Sequence, residues 1–173
     1  KLCPAKCSKC FFKSNMYKDA APSEQYELSE EGVERLIKFV NASNNSYLML
    51  SGGGEPMIRP QHVNKIVRNT KTDRIVIVTS GIWANNYQKA EKYISDLYES
   101  YKSRNDEVKL VLRLSIDEFH LSSPTINEEV YRNIINIFRT KYRNEKNLFY
   151  YILVPIREPH PFRYSFTKCR NTL

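Results

Sequence analysis

Apolar residues recur along this chain with two periods, and the periods take turns. In "LSEEGVERLIKFVNAS", Val33, Leu36, Ile37 and Val40 fall at i, i+3, i+4 and i+7, the stripe of an amphipathic helix, and Ser29 stands at its N-cap position. "SYLMLSGGGEP" follows as a short apolar strand running into glycines. "RPQHVNKIVRNT" puts Pro60 in a first helical turn and Val63, Ile66 and Val67 on one face. "DRIVIVTSG" is a β-branched run and reads as a buried strand. "NNYQKAEKYISDLYESYKS" is a helix with Tyr87, Ala90, Ile94, Leu97, Tyr98 and Tyr101 on one side. "VKLVLRLSID" is a strand, "NEEVYRNIINIFRTKY" a helix capped by Asn127, and "NLFYYILV" a last strand.

The order α-β-α-β-α-β-α-β predicts parallel strands joined by crossover helices. An open doubly wound sheet and a full or partial α/β barrel both satisfy it, and in both the site gathers beyond the C-terminal strand ends. "SGGGEP", "TSGIW" and "SIDEFH" each follow a strand there. Only Lys1 and Leu2 precede the first cysteine, where the alternation calls for another strand, and a proline-broken, basic tail follows "ILVP". The expectation is a core over residues 1–154 with a tail over 155–173, cut at one or both ends of a larger domain. The edge beside the absent first strand is expected to be covered by another segment or frayed.

Composition changes this picture little. The 173 residues are 41% hydrophobic and 27% charged, as in a globular domain. No apolar run approaches the roughly 18–20 residues of a membrane span, and no signal-peptide h-region is evident, so the chain reads as cytoplasmic and not membrane-bound. The net charge of +8 suits a polyanion such as nucleic acid, but the cations are dispersed over short mixed segments that also read as solvated helix faces.

Chemistry enters with "CPAKCSKC". Three of the four cysteines fall within it as C-x3-C-x2-C, and Cys169 lies far away. In a reducing compartment such a group reads as ligands to zinc or to an iron–sulfur cluster. Zinc would take a fourth ligand from Cys169, His62, His120 or His160, none of them in a paired zinc spacing. A four-iron cluster on three thiolates leaves one iron open to a substrate or cofactor.

The motif resembles the C-x3-C-x2-C signature of the radical S-adenosylmethionine (radical SAM) superfamily. "GGGEPM" after the next strand resembles that family's GGE motif, and "LRLSID" resembles its later SAM-contact strand, in family order. The resemblance implies a partial (β/α)6-type barrel, here truncated by its first strand and last βα unit. It implies a [4Fe-4S] cluster on Cys3, Cys7 and Cys10, with SAM chelating the fourth iron. Gly53, Gly54 and Glu55 would receive the SAM amino group, and Ser115 and Asp117 would approach its ribose or carboxylate. An oxygen-sensitive enzyme would then cleave SAM to a 5′-deoxyadenosyl radical that takes hydrogen from a substrate, a peptide, a protein or a small molecule. An electron donor such as flavodoxin or ferredoxin is implied. The sequence departs from the family at Lys9, where an aromatic or apolar residue usually precedes the third cysteine; Phe11 and Phe12 follow it instead. The family's glycine-rich segment after strand five is also absent, with "LVPIREP" in its place. The rival reading is a non-catalytic zinc-binding module that contacts nucleic acid.

Strand alternation sorts "VKLVLRLSID" into Leu110, Leu112, Leu114 and Ile116, expected against the helices, and Val111, Arg113, Ser115 and Asp117, expected to face the site beside the Gly53–Glu55 turn. Arg113 needs an anionic partner there, the SAM carboxylate or Glu55. His120 reads as structural or substrate-facing, Trp83 as packing or cavity lining, the tyrosines of the third helix as packing, and His62 as exposed.

Overall fold

The computed structural model describes residues 3–7, 10, 27–155 and 164–168. Lys9, Phe11, Phe12, His160 and Cys169 lie outside them. The elements run in chain order as α1 (Glu30–Ala42), β1 (Tyr47–Leu50), α2 (Pro60–Asn69), β2 (Arg74–Thr79), α3 (Tyr87–Lys102), β3 (Lys109–Ser115), α4 (Glu118–Leu121), α5 (Glu128–Lys141), β4 (Leu148–Pro155) and β5 (Tyr164–Lys168). The alternation predicted from the sequence is present, with the short α4 inserted after β3.

The helices begin where local chemistry satisfies their first N–H groups. Ser29 Oγ accepts from Gly32 N at 3.1 Å, and Asn86 Oδ1 accepts from Lys89 N at 3.0 Å. Asn127 occupies the N-cap of α5, but its side chain makes no capping bond. Pro60 opens α2, where its missing N–H is harmless.

The sheet has the order β1-β2-β3-β4-β5. The first four strands are parallel, and β5 pairs antiparallel with β4, Leu153 opposite Phe166. β5 lies in the segment that the side-chain pattern reads as a proline-broken tail. Pairing on the open edge of β4 supplies the backbone partners that side-chain periodicity did not signal.

Register puts Leu50, Ile77, Leu112 and Tyr150 in one row across the sheet. This face forms the core with Val63 and Val67 of α2, Ile94 and Leu97 of α3, and Ile134 and Ile137 of α5. Leu110, Leu112 and Leu114 are all buried in it, and Ile116 packs on its border. Val111, Arg113 and Ser115 alternate onto the opposite face, in the direction that the strand pattern predicted. β1 is the end strand of the order and carries Tyr47 and Met49 exposed.

Trp83 is packing: it is buried, stacks on Tyr93 at a centroid distance of 5.7 Å, and donates Nε1 to Thr79 Oγ1 at 2.8 Å. The α3 tyrosines also pack, Tyr98 lying against Tyr142 at 4.7 Å. His62 sits in the first turn of α2 but is not exposed as expected. Its side chain is 16% accessible, drawn onto Glu30 Oε1 at 2.9 Å.

Candidate functional site

Glu55 is the centre of the C-terminal strand ends. It follows β1 and caps the 3-10 turn Pro56–Ile58 by accepting from Met57 N at 3.1 Å. Its Oε1 also accepts from Thr79 Oγ1 at 2.6 Å, and its Oε2 from Ser80 N at 2.8 Å and Ser80 Oγ at 2.6 Å. A carboxylate has about four lone-pair positions, and four donors fill them. The side chain is buried at 6% exposure, so it fixes the end of β1 to the end of β2. Thr79 extends the network to Gly81 N and Trp83. Gly81 turns at φ 79°, a conformation that favours glycine, and a Cβ there would also press on Ile134 Cδ1 at 3.3 Å.

The glycines before Glu55 bend the chain away from the sheet, Gly54 at φ 154°. A Cβ at Gly52 would meet nothing within 4 Å. Gly52, Gly53, Gly54 and Glu55 line a cavity of about 270 Å³ whose other walls include Leu36, His62, Val63 and Ile66. Arg113, Ser115 and Asp117 are not among its lining residues.

The cysteine loop is held over the same end of the sheet. Thr125 Oγ1 donates to Pro4 O at 2.9 Å, and Ser123 Oγ donates to Ala5 O. Ala5 is fully buried, and the chain turns at Lys6 with φ 50°. Cys7 is buried and Cys3 and Cys10 are half-buried, and none of the three is in a disulfide. Burial pushes the Cys3 thiol up to about 11, and the negative charges of Glu55, Cys7 and Cys10 add to the effect. Glu55, Cys7 and Cys10 therefore each stand within electrostatic reach of Cys3.

The loop after β3 closes this group. Asp117 caps α4: its Oδ1 accepts from Phe119 N at 3.0 Å and His120 N at 2.9 Å. The same oxygen lies 2.7 Å from His120 Nδ1. The carboxylate and a further hydrogen bond to Cys7 raise the His120 imidazole to about 10, against the opposing effect of burial. Hydrogen bonds from His120 hold the Asp117 carboxyl below its ordinary range although burial works the other way. Tyr131 donates its hydroxyl to Ser115 O at 3.0 Å. Burial, with Asp117, Cys7 and Glu55 nearby, raises its phenol well above the usual value.

Arg113 is half-buried, and its Nε is buried with no hydrogen-bond partner among the described residues. Glu55 is not its counter-ion, because the donors around that carboxylate come from Met57, Thr79 and Ser80. A carboxylate so clamped is already fully used.

The structure thus gathers Cys3, Cys7, Cys10, Glu55, Asp117 and His120. Sequence reasoning missed the positioning residues Thr79, Ser80, Ser123, Thr125 and Tyr131. Thr79 and Ser80 carried a signal, since "TSG" ends a buried strand with polar residues. Ser123 and Thr125 carried none beyond lying in a loop.

Three thiols on one anchored loop fit a cluster that takes one thiolate per iron. Among the described residues no three His, Cys, Asp or Glu side chains converge closely enough to hold a single metal ion. Separate irons place thiolates further apart than a single ion does. Fold and donor set together define an α/β iron–sulfur protein. Residues 1–104 match the family of 4Fe-4S single cluster domains, and the chain belongs to that family. The matched segment contains all three loop cysteines and Glu55 but ends before β3. No curated protein matches the chain. Among the described residues, no helix is long and apolar enough to cross a membrane.

Proposed function

We propose that the protein is a radical SAM enzyme of the cytoplasm built on a partial barrel. The observation that carries this reading is the cysteine loop tied by Ser123 and Thr125 to the segment after β3, with Glu55 near enough to Cys3 to act on its thiol. When bound, the [4Fe-4S] cluster and SAM supply the chemistry, reductive cleavage of SAM and hydrogen abstraction from a substrate. Cys3, Cys7 and Cys10 hold three irons. Glu55, saturated by its neighbours, holds the glycine turn rigid, so that the backbone of Gly53 and Gly54 is presented to the SAM amino group. Arg113 offers its orphaned Nε to the SAM carboxylate, with Ser115 one step nearer the strand end. On Asp117 every donor meets Oδ1, which leaves Oδ2 for a ribose hydroxyl. A reduced flavodoxin or ferredoxin is the electron donor, and a peptide or protein is the substrate class.

Anaerobically reconstituted protein given dithionite and SAM is expected to release 5′-deoxyadenosine, and Cys7→Ala is expected to abolish the release. Iron and sulfide present with no 5′-deoxyadenosine would sink the SAM reading. Stoichiometric zinc in their place after anaerobic purification would favour the binding-module alternative.

A further inference from the structure

The two faces of the sheet carry different chemistry. One packs against α2, α3 and α5 and is apolar. On the other, the register sets Tyr47, Arg74 and Lys109 in a row at the strand starts. Met49, Val76, Val111 and Phe149 form the next row, and Val78, Arg113 and Tyr151 the one after. Arg74, Lys109 and Arg113 are the charged residues of these rows, and no acid stands among them. Tyr47, Met49, Arg74 and Lys109 are exposed, while Val76 and Val111 are buried in the middle row. On the helices, Lys65 bridges Glu30 and Glu34, Lys92 reaches Asp96, Arg132 reaches Glu128 and Lys141 reaches Glu91. Arg74, Lys109 and Arg113 are in no ion pair among the described residues, and Arg113 Nε has no hydrogen-bond partner there. The nearest acids in the chain, Asp73 and Glu107, stand in the loops before β2 and β3. Glu107 acts on Tyr101 of α3, on the helix-covered side.

Two cations side by side on neighbouring strands repel, and an anion set between them removes the repulsion. An apolar row bordered by Met49 and Phe149 separates this pair from Arg113. Lys109 and Arg113 lie four residues apart on β3, about 13 Å at the rise of a strand. An extended peptide advances by the same rise, so its side chains can follow the rows. A nucleic acid strand would instead lay its bases on open ring faces. Phe149 and Tyr151 turn theirs to each other, 13° from parallel at 6.4 Å. We propose that this face binds an acidic, extended stretch of a peptide or protein substrate. Arg74 and Lys109 take a carboxylate side chain, Met49 and Phe149 meet apolar neighbours, and the residue about four positions further on reaches the strand ends. The binding face rests on its own charges. Only the term substrate, and the reach to the reacting end, rest on the radical SAM reading.

The test is fluorescence anisotropy on the reconstituted protein, with a short labelled peptide in which leucines are flanked by glutamates. Wild type is expected to bind it. Arg74→Glu/Lys109→Glu is expected to bind it about tenfold more weakly, two exposed charge contacts being reversed. Arg74→Gln/Lys109→Gln only removes the charges and is expected to fall between the two. Lys92→Glu/Arg132→Glu changes the net charge as much as the first variant, but on helix surfaces, and is expected to bind as the wild type does. Equal weakening by both reversed pairs would overturn the proposal, because net charge alone would then explain the affinity. So would a wild type that does not bind the peptide. Tighter binding of a labelled single-stranded oligothymidine, lost in Arg74→Glu/Lys109→Glu, would overturn it in favour of nucleic acid. Release of 5′-deoxyadenosine from SAM is read separately. Peptide binding without release would sink the SAM reading and leave this face standing. Release without peptide binding would overturn this inference alone.

Discussion

Glu55 shows how one residue can be conspicuous for one reason and used for another. Its place after three glycines suggested a ligand contact, whereas its carboxylate takes donors from Thr79, Ser80 and Met57. Glu55→Gln keeps the shape but turns an amide NH2 toward donors. Stability is expected to fall by about 1–3 kcal/mol, the penalty of leaving a buried donor unpaired, seen as a lower urea midpoint. An unchanged midpoint would mean that the clamp contributes nothing. The cysteines make the complementary case. Each thiolate anchors one iron, so Cys3→Ala, Cys7→Ala and Cys10→Ala are each expected to lose the cluster by iron analysis, while Cys169→Ala keeps it. Full loading in any single loop variant would remove that cysteine from the ligand set.

Helix α1 and the segment after α4 behave as units with separate jobs. Ser29 satisfies one of the free N–H groups that open α1, and Ser29→Ala is expected to lower stability by about 1 kcal/mol without touching iron content. Ser123 and Thr125 act the other way. Their hydroxyls reach across to Pro4 and Ala5 carbonyls as well as to each other. The double variant Ser123→Ala/Thr125→Val is expected to keep the far-UV circular dichroism of the wild type and to lose iron faster to a chelator. Equal rates of iron loss would show that the loop is held by other contacts.

In the molecule as a whole, the helix-covered face of the sheet is one core, and the cysteine loop joins it at its margin through Ala5 and Cys7. Leu112 is buried at 1% exposure in the middle of the row that joins the strands to α3 and α5. Leu112→Ala is therefore expected to cost about 2–5 kcal/mol through lost burial and the cavity left behind, measured as a drop in Tm. Iron removal should leave this core in place, because the strands and helices supply most of its described side chains and the cysteine loop is tied separately to the segment beyond α4. Apoprotein is expected to keep its secondary structure, with the change confined to the loop. Collapse of the circular dichroism signal on chelation would refute this.

What the sequence determined by itself was what short-range physics encodes. Side-chain periods of 2 and 3.6 state which face of an element is buried, and they separated Leu110, Leu112 and Leu114 from Arg113 and Ser115. Ser29 marked a helix start because a cap bonds within its own turn, whereas Asn127, read in the same way, stands at its N-cap without a capping bond. The cysteine spacing marked a metal loop because its three residues are neighbours in the chain. Tertiary structure decided whatever depends on two distant strand ends meeting. The Glu55 clamp joins residues 24 and 25 positions apart, and the bond from Ser123 to Ala5 spans 118. His120 meets Cys7 only because β3 ends beside the cysteine loop. A periodic pattern records that a side chain is buried but not which polar group it faces, since a hydrogen bond depends on a fraction of an ångström between elements. For the same reason β5 escaped the sequence: the open edge of β4 recruits it through backbone groups, which every residue except proline carries alike.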